Sequence, residues 1–144
     1  LIGLETLPQR VSQEVRTATA IAGHLLHAPH VVKVNYSGLG NTPQYDLVVK
    51  YFPQGVGTVL SFLVDGDESN VYRILDGVRL FSYVPNIGDS RSLIVNPARV
   101  THREVPAGYR LDAGVSDNLI RLSIGLEDVH DLIADLDQAI AGAY

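Results

Sequence analysis

Apolar residues over the first 26 positions recur at the spacing of a helix face. Leu4, Leu7, Val11, Val15, Ala18, Ala22 and Leu25 fall three or four apart, and Thr6 and Pro8 suit a first turn. A long amphipathic helix is therefore predicted over 4–26, stopped by Pro29. The β-branched stretch 31–36 reads as a strand, and Ser37-Gly38-Leu39-Gly40-Asn41 as a turn. A short helix is expected over 43–52, ended by Pro53, and a strand over 58–64. Asp65-Gly66-Asp67 then turns the chain into a helix with the stripe Val71, Ile74, Leu75 and Val78, running to about Arg79. Asp67 and Glu68 sit at its start, where negative charge meets the positive end of the helix dipole.

In the second half, 80–84 and 92–95 are short strand candidates on either side of a polar loop, 85–91. Pro97, Pro106 and Gly108 make 96–113 read as an irregular surface segment with little regular structure. A strand follows over 119–124, and Val129, Leu132, Ile133, Leu136 and Ile140 give a last amphipathic helix behind Glu127 and Asp128. The segment lengths predict an α+β fold: a small open, mostly antiparallel sheet of about four strands, helices packed on one face, and a long N-terminal helix before it. Residues 1–144 read as one unit, without repeat, linker or low-complexity tract. A chain of this size can bury roughly 70% of the surface it exposes when unfolded.

Composition narrows the function. The net charge is −5 and no cluster of Lys or Arg occurs, which argues against nucleic acid and against an anionic membrane surface as partners. No apolar run approaches the roughly 18 residues of a membrane span. Cysteine is absent, so disulfides, thiolate metal sites and thiol nucleophiles are excluded, and the absence fits a cytoplasmic protein. Methionine is absent as well, and the apolar start Leu1-Ile2-Gly3-Leu4 is neither an initiator nor a signal peptide, so the chain is expected to be a piece of a longer one.

Few residues stand out for chemistry. In 119–124 the two-residue period puts Ile120, Leu122 and Ile124 on one face and Leu119, Arg121 and Ser123 on the other. Arg121 is thus a guanidinium in mid-strand opposite the core: either a fork for a carboxylate or a charge on a solvated sheet face. The loop 86–91 offers the Asn86 amide, a flexible Gly88 and the pair Asp89/Arg91, as a small-ligand loop or a plain surface turn would. His24, His27 and His30 are spaced by three, without a carboxylate or thiolate close in sequence, and no metal site is assigned to them. Asp65 to Ser69 lacks the Glu that a calcium loop needs at its twelfth position, which is Asp76. Gly38-x-Gly40 lacks the rest of a dinucleotide fingerprint, Gly55-x-Gly57 precedes a strand where a phosphate loop precedes a helix, and Thr101-His102 beside Glu104 is too little for a triad.

Several stretches in register nevertheless resemble one family. Gly3-Leu4-Glu5-Thr6-Leu7-Pro8-Gln9-Arg10, Tyr36-Ser37-Gly38-Leu39, and Gly55-Val56-Gly57 leading to Leu60-Ser61-Phe62 are similar to segments of the pyridoxal-phosphate (PLP)-dependent enzymes of Cys/Met metabolism. So are Asn86 to Leu93, Pro97-Ala98 with Thr101-His102, and above all Leu119-Ile120-Arg121-Leu122-Ser123-Ile124-Gly125-Leu126-Glu127-Asp128. The likeness covers essentially the whole chain. Asn-x-Gly-Asp-x-Arg-Ser-Leu at 86–93 looks like the O-acetylhomoserine sulfhydrylase branch, whereas cystathionine γ-synthase, cystathionine γ-lyase and methionine γ-lyase usually read Ser-Leu-Gly there. Asn96, Arg99, Arg103 and Thr58 depart from the family's usual residues.

The resemblance implies a carboxyl-terminal small domain of a fold-type I PLP enzyme, with the cofactor held by a large domain that this chain lacks. It implies that Arg121 binds the substrate α-carboxylate, assisted by Asn86 through its amide or backbone and supported by Thr101. No catalytic lysine, cofactor contact or metal ligand falls within the 144 residues on this reading. The implied partners are a small amino-acid substrate and the missing PLP domain, in a cytoplasmic homotetramer. The implied reaction is γ-replacement, turning O-acetylhomoserine and sulfide into homocysteine and acetate. Alternatives are a cystathionine γ-synthase or methionine γ-lyase, or a free-standing amino-acid-binding α+β module. The chain alone is expected to be inactive.

Overall fold

The computed structural model describes residues 1–40 and 42–144; Asn41, in the expected 37–41 turn, lies outside the described residues. Helices α1 (Ile2–Glu5) and α2 (Leu7–Leu25) occupy the predicted first helix, interrupted at Thr6, and Arg10 bridges the interruption by donating from Nη2 to the Gly3 carbonyl at 2.9 Å. They are followed by β1 (Val31–Asn35), α3 (Tyr45–Tyr51), β2 (Val59–Val64) and α4 (Glu68–Gly77). The second half contains β3 (Ser82–Tyr83), β4 (Leu93–Val95), α5 (Ala107–Asp112), β5 (Leu119–Ser123) and α6 (Val129–Ala141).

The five strands form one sheet in the order β1-β2-β5-β4-β3, one strand more than the expected four. All neighbours are antiparallel except β3 and β4. The register sorts side chains by face. Val34, Phe62 and Ile120 align across β1, β2 and β5, and Leu60, Leu122 and Ile94 align across β2, β5 and β4. These point into the core, where Phe62, Leu60, Ile94, Ile120 and Leu122 have at most 1% of their surface exposed. The opposite face of the same sheet carries the row Asn35, Ser61, Arg121 and Val95.

Helices α2, α4 and α6 cover the core face with Ala18, Ile21 and Leu25, with Val71 and Ile74, and with Leu132 and Leu136. Helix α4 begins with a capping box: Asp67 accepts from the backbone N–H of Ser69 and Asn70, while Asn70 accepts from the Asp67 N–H. Gly77 lets α4 approach α6 closely, since a Cβ there would sit 3.3 Å from Ala139. Helix α6 is capped by Asp128, whose side chain accepts from the His130 N–H.

Two expected segments differ from the structure. The strand anticipated over 80–84 shrinks to Ser82–Tyr83 because the buried Asp135 carboxylate of α6 takes the N–H groups of Arg79, Leu80 and Phe81 that a longer strand would have offered to a neighbour. The supposedly irregular 96–113 contains α5 and is partly internal: Asn96 and Ala98 are buried, and Asn96 donates to the Asp117 carbonyl at 2.7 Å.

Candidate functional site

The sheet face away from the core carries a cavity of about 600 Å³. Lys33 and Asn35 of β1, Ser61 of β2 and Arg121 of β5 line its floor, and His102 and Val115 from the segment after β4 line its wall. The floor follows from strand alternation: residues that pair across neighbouring antiparallel strands share a face, so Asn35, Ser61 and Arg121 stand side by side. Asn35 donates to the Ser61 hydroxyl at 3.2 Å. Among the described residues lining the cavity none is acidic, while two are cationic, so its net field favours an anion.

Arg121 is half-buried rather than fully solvated. Burial pulls its pKa below that of a free guanidinium; arginine side chains stay charged in proteins. Its Nη2 donates to the backbone carbonyl of Asn86 at 3.2 Å. Its Nε is buried and meets no acceptor among the described residues. A buried donor left without a partner costs free energy on the order of 1–3 kcal/mol, a cost that an arriving acceptor removes. The charge is held in place by a neutral carbonyl, and no carboxylate among the described residues cancels it.

The structure brings Asn86 to Arg121 through the main chain. The loop around it is stiffened locally: Gly88 adopts φ 77° and donates its N–H to the Ser123 hydroxyl at 3.3 Å. Asp89 and Arg91 are spent on each other, with Asp89 Oδ1 accepting from the Arg91 N–H at 3.0 Å, and these hydrogen bonds hold the Asp89 carboxyl below its ordinary range. Thr101 lies just behind the cavity wall. Its hydroxyl pairs with His102 Nδ1 at 2.8 Å, and His102 faces the cavity.

His24, His27 and His30 border one surface pocket beside α6, together with Asp137 and Tyr144. His24 Nε2 lies 2.7 Å from Asp137, and His30 Nδ1 lies 3.3 Å from Asp65 with its ring stacked 3.7 Å from that of Tyr144. Ser61, Asn35 and His102 are the site residues that sequence reasoning missed. The two-residue period that placed Arg121 would, applied to β2, have placed Ser61 on the same face.

A resident PLP needs a Schiff-base lysine together with a phosphate cradle. Of the two lysines, Lys50 lies 5.2 Å from the exposed Tyr51 ring on α3, and Lys33 stands on β1, where it lines the same cavity as Arg121.

Comparison with known proteins places this arrangement in context. The family model described as Cys/Met metabolism PLP-dependent enzyme matches residues 1–141. O-acetyl-L-homoserine sulfhydrylase 1 of Thermus thermophilus is 40% identical over 141 residues, which is 98% of this chain and 34% of that protein. Cystathionine gamma-lyase of Dictyostelium discoideum is 39% identical over 97% of this chain and 36% of its own length. A crystal structure described as an O-acetylhomoserine (thiol)-lyase of Campylobacter jejuni, containing N'-pyridoxyl-lysine-5'-monophosphate, superposes with a TM-score of 0.92 at 41% identity. That match covers 96% of this chain and 33% of the other. The chain thus spans about a third of the length of the relatives it matches.

Proposed function

This chain belongs to the Cys/Met-metabolism PLP-dependent enzymes, and from that premise we propose that it is the small, substrate-binding domain of an O-acetylhomoserine sulfhydrylase whose cofactor is held by a large domain outside these 144 residues. One observation carries the reading: Arg121, half-buried at an acid-free cavity, has a guanidinium whose only described partner is a backbone carbonyl.

The substrate α-carboxylate takes the two donors that this geometry leaves for it. Two parallel charge-assisted hydrogen bonds fix both position and plane of the amino acid. The Asn86 carbonyl keeps the fork from swinging, and Thr101 steadies His102 at the wall. PLP, when bound, supplies the electron sink. This domain's contribution is orientation, holding the Cα–H bond where the cofactor domain can act on it. The product of γ-replacement with sulfide is homocysteine, with acetate leaving. By the same reading the chain alone neither binds PLP nor turns over substrate, and the whole enzyme is a cytoplasmic homotetramer.

The sulfhydrylase assignment rests on Asn86 to Leu93 and on the Thermus relative. The Dictyostelium relative, one percentage point lower in identity, keeps a cystathionine γ-lyase, and with it a γ-synthase or methionine γ-lyase, as the second reading. Assaying the full-length enzyme decides between them. Homocysteine formed from O-acetylhomoserine and sulfide, at a kcat/KM well above that for cysteine, cystathionine or methionine, is expected; preference for one of the latter overturns the assignment. Micromolar binding of homoserine to the isolated chain by calorimetry would instead favour a free-standing amino-acid-binding module.

A further inference from the structure

The loop that carries Asn86 is tied to the strand that carries Arg121 by two residues to which the reading above gives no role, Glu127 and Ser92. The side chain of Glu127, six positions after Arg121, does not cap α6; Asp128 does. Glu127 turns back instead and grips Ser92 at the far end of the loop. Its Oε1 accepts the Ser92 N–H at 2.8 Å and its Oε2 accepts the Ser92 hydroxyl at 2.8 Å. The same hydroxyl accepts the Gly125 N–H at 2.9 Å. Ser92 is fully buried, so these bonds are shielded from competing water. Next to them the Leu126 N–H donates to the Ser90 carbonyl at 2.9 Å. Gly125 makes that approach possible, because a Cβ there would lie 2.4 Å from the Ser90 oxygen.

We propose that Glu127 and Ser92 are positioning residues for Arg121: their carboxylate–serine clamp locks the 86–92 loop onto the end of β5, so that the Asn86 carbonyl holds the guanidinium ready for the substrate carboxylate. The proposal rests on the assignment of Arg121 as carboxylate anchor. Without the clamp the loop keeps its internal Asp89–Arg91 bonds and the single contacts Gly88–Ser123 and Leu126–Ser90, which hold its distance to Arg121 less firmly, and the substrate must supply part of the ordering of the anchor. The loss then appears in binding and not in the chemical step.

The test is steady-state kinetics of the full-length enzyme carrying Glu127→Ala, Glu127→Gln, Ser92→Ala and Arg121→Ala, with cofactor absorbance recorded for each. Glu127→Ala and Ser92→Ala should raise KM for the amino-acid substrate about tenfold while kcat and the cofactor band stay near wild type. Glu127→Gln keeps an acceptor for the Ser92 N–H and should return KM to within about threefold. Added to Arg121→Ala, Glu127→Ala should raise KM no further, because the clamp acts through the arginine. If Arg121→Ala raises KM but Glu127→Ala and Ser92→Ala do not, the clamp is structural only and the proposal is overturned. An equal further rise in the Arg121→Ala background overturns it as well. An unchanged KM in Arg121→Ala removes the underlying anchor assignment, a distinguishable result. Should Glu127→Ala not fold, Ser92→Ala and Glu127→Gln decide by the same criteria.

Discussion

Single residues hold this domain together where main-chain groups have nowhere else to go. The buried Asp135 carboxylate accepts from Arg79 N–H at 2.8 Å, from Leu80 N–H at 2.8 Å and from Phe81 N–H at 3.4 Å, so one side chain ends a connection that would otherwise expose three donors. Asp135→Ala should therefore cost on the order of 3 kcal/mol in urea unfolding, and Asp135→Asn clearly less, since it keeps one acceptor. Asp67 works at the surface. Hydrogen bonds from the Ser69 side chain and from the Ser69 and Asn70 backbone hold its carboxyl below the ordinary value of 3.8. A carboxyl with a lowered folded pKa stabilises fully above its unfolded pKa and loses that contribution as the pH falls through the folded one. The Tm difference between wild type and Asp67→Ala should thus be full at neutral pH and shrink on acidification below about 3.8; a difference that grows there would contradict the capping role.

At the scale of elements, periodicity made visible whatever buries a stripe. Helices α2, α4 and α6 and strands β2 and β5 all place regular apolar sets in the core, and each was legible in the sequence. Helix α5 was not. It has no buried residue, Tyr109 and Leu111 are exposed, and it is held by Arg110, which donates to the Ala98 carbonyl at 2.6 Å and pairs with Asp117 at 3.5 Å. Such anchoring is a long-range contact with no local pattern. The same is true of β3, cut short by an aspartate more than fifty residues away in sequence. Strand alternation placed Arg121 correctly, but its partner at Asn86 depends on a loop closing over 35 residues of sequence. Gly125 is the tightest point of that closure. Gly125→Ala should push the Ser90 carbonyl away and raise KM with Arg121 intact, as kinetics of the full-length variant would show; an unchanged KM would mean that the loop tolerates the shift.

The whole molecule is a sheet with two different faces. One is sealed by three helices into an apolar core; the other presents a cation-lined cavity in which Arg121 and Lys33 meet no lining carboxylate among the described residues. The family likeness names this fold and the PLP dependence of its members. The physical asymmetry is what the proposed role uses: one face is closed, and the other offers a positioned positive charge at an open cavity. The most direct measurement of that claim is the KM for O-acetylhomoserine of full-length Arg121→Ala against wild type. A rise of about a hundredfold, in line with the loss of a bidentate charge-assisted pair, and a cofactor band unchanged in the absence of substrate is the expected result. A KM equal to that of wild type would show that the carboxylate is bound elsewhere.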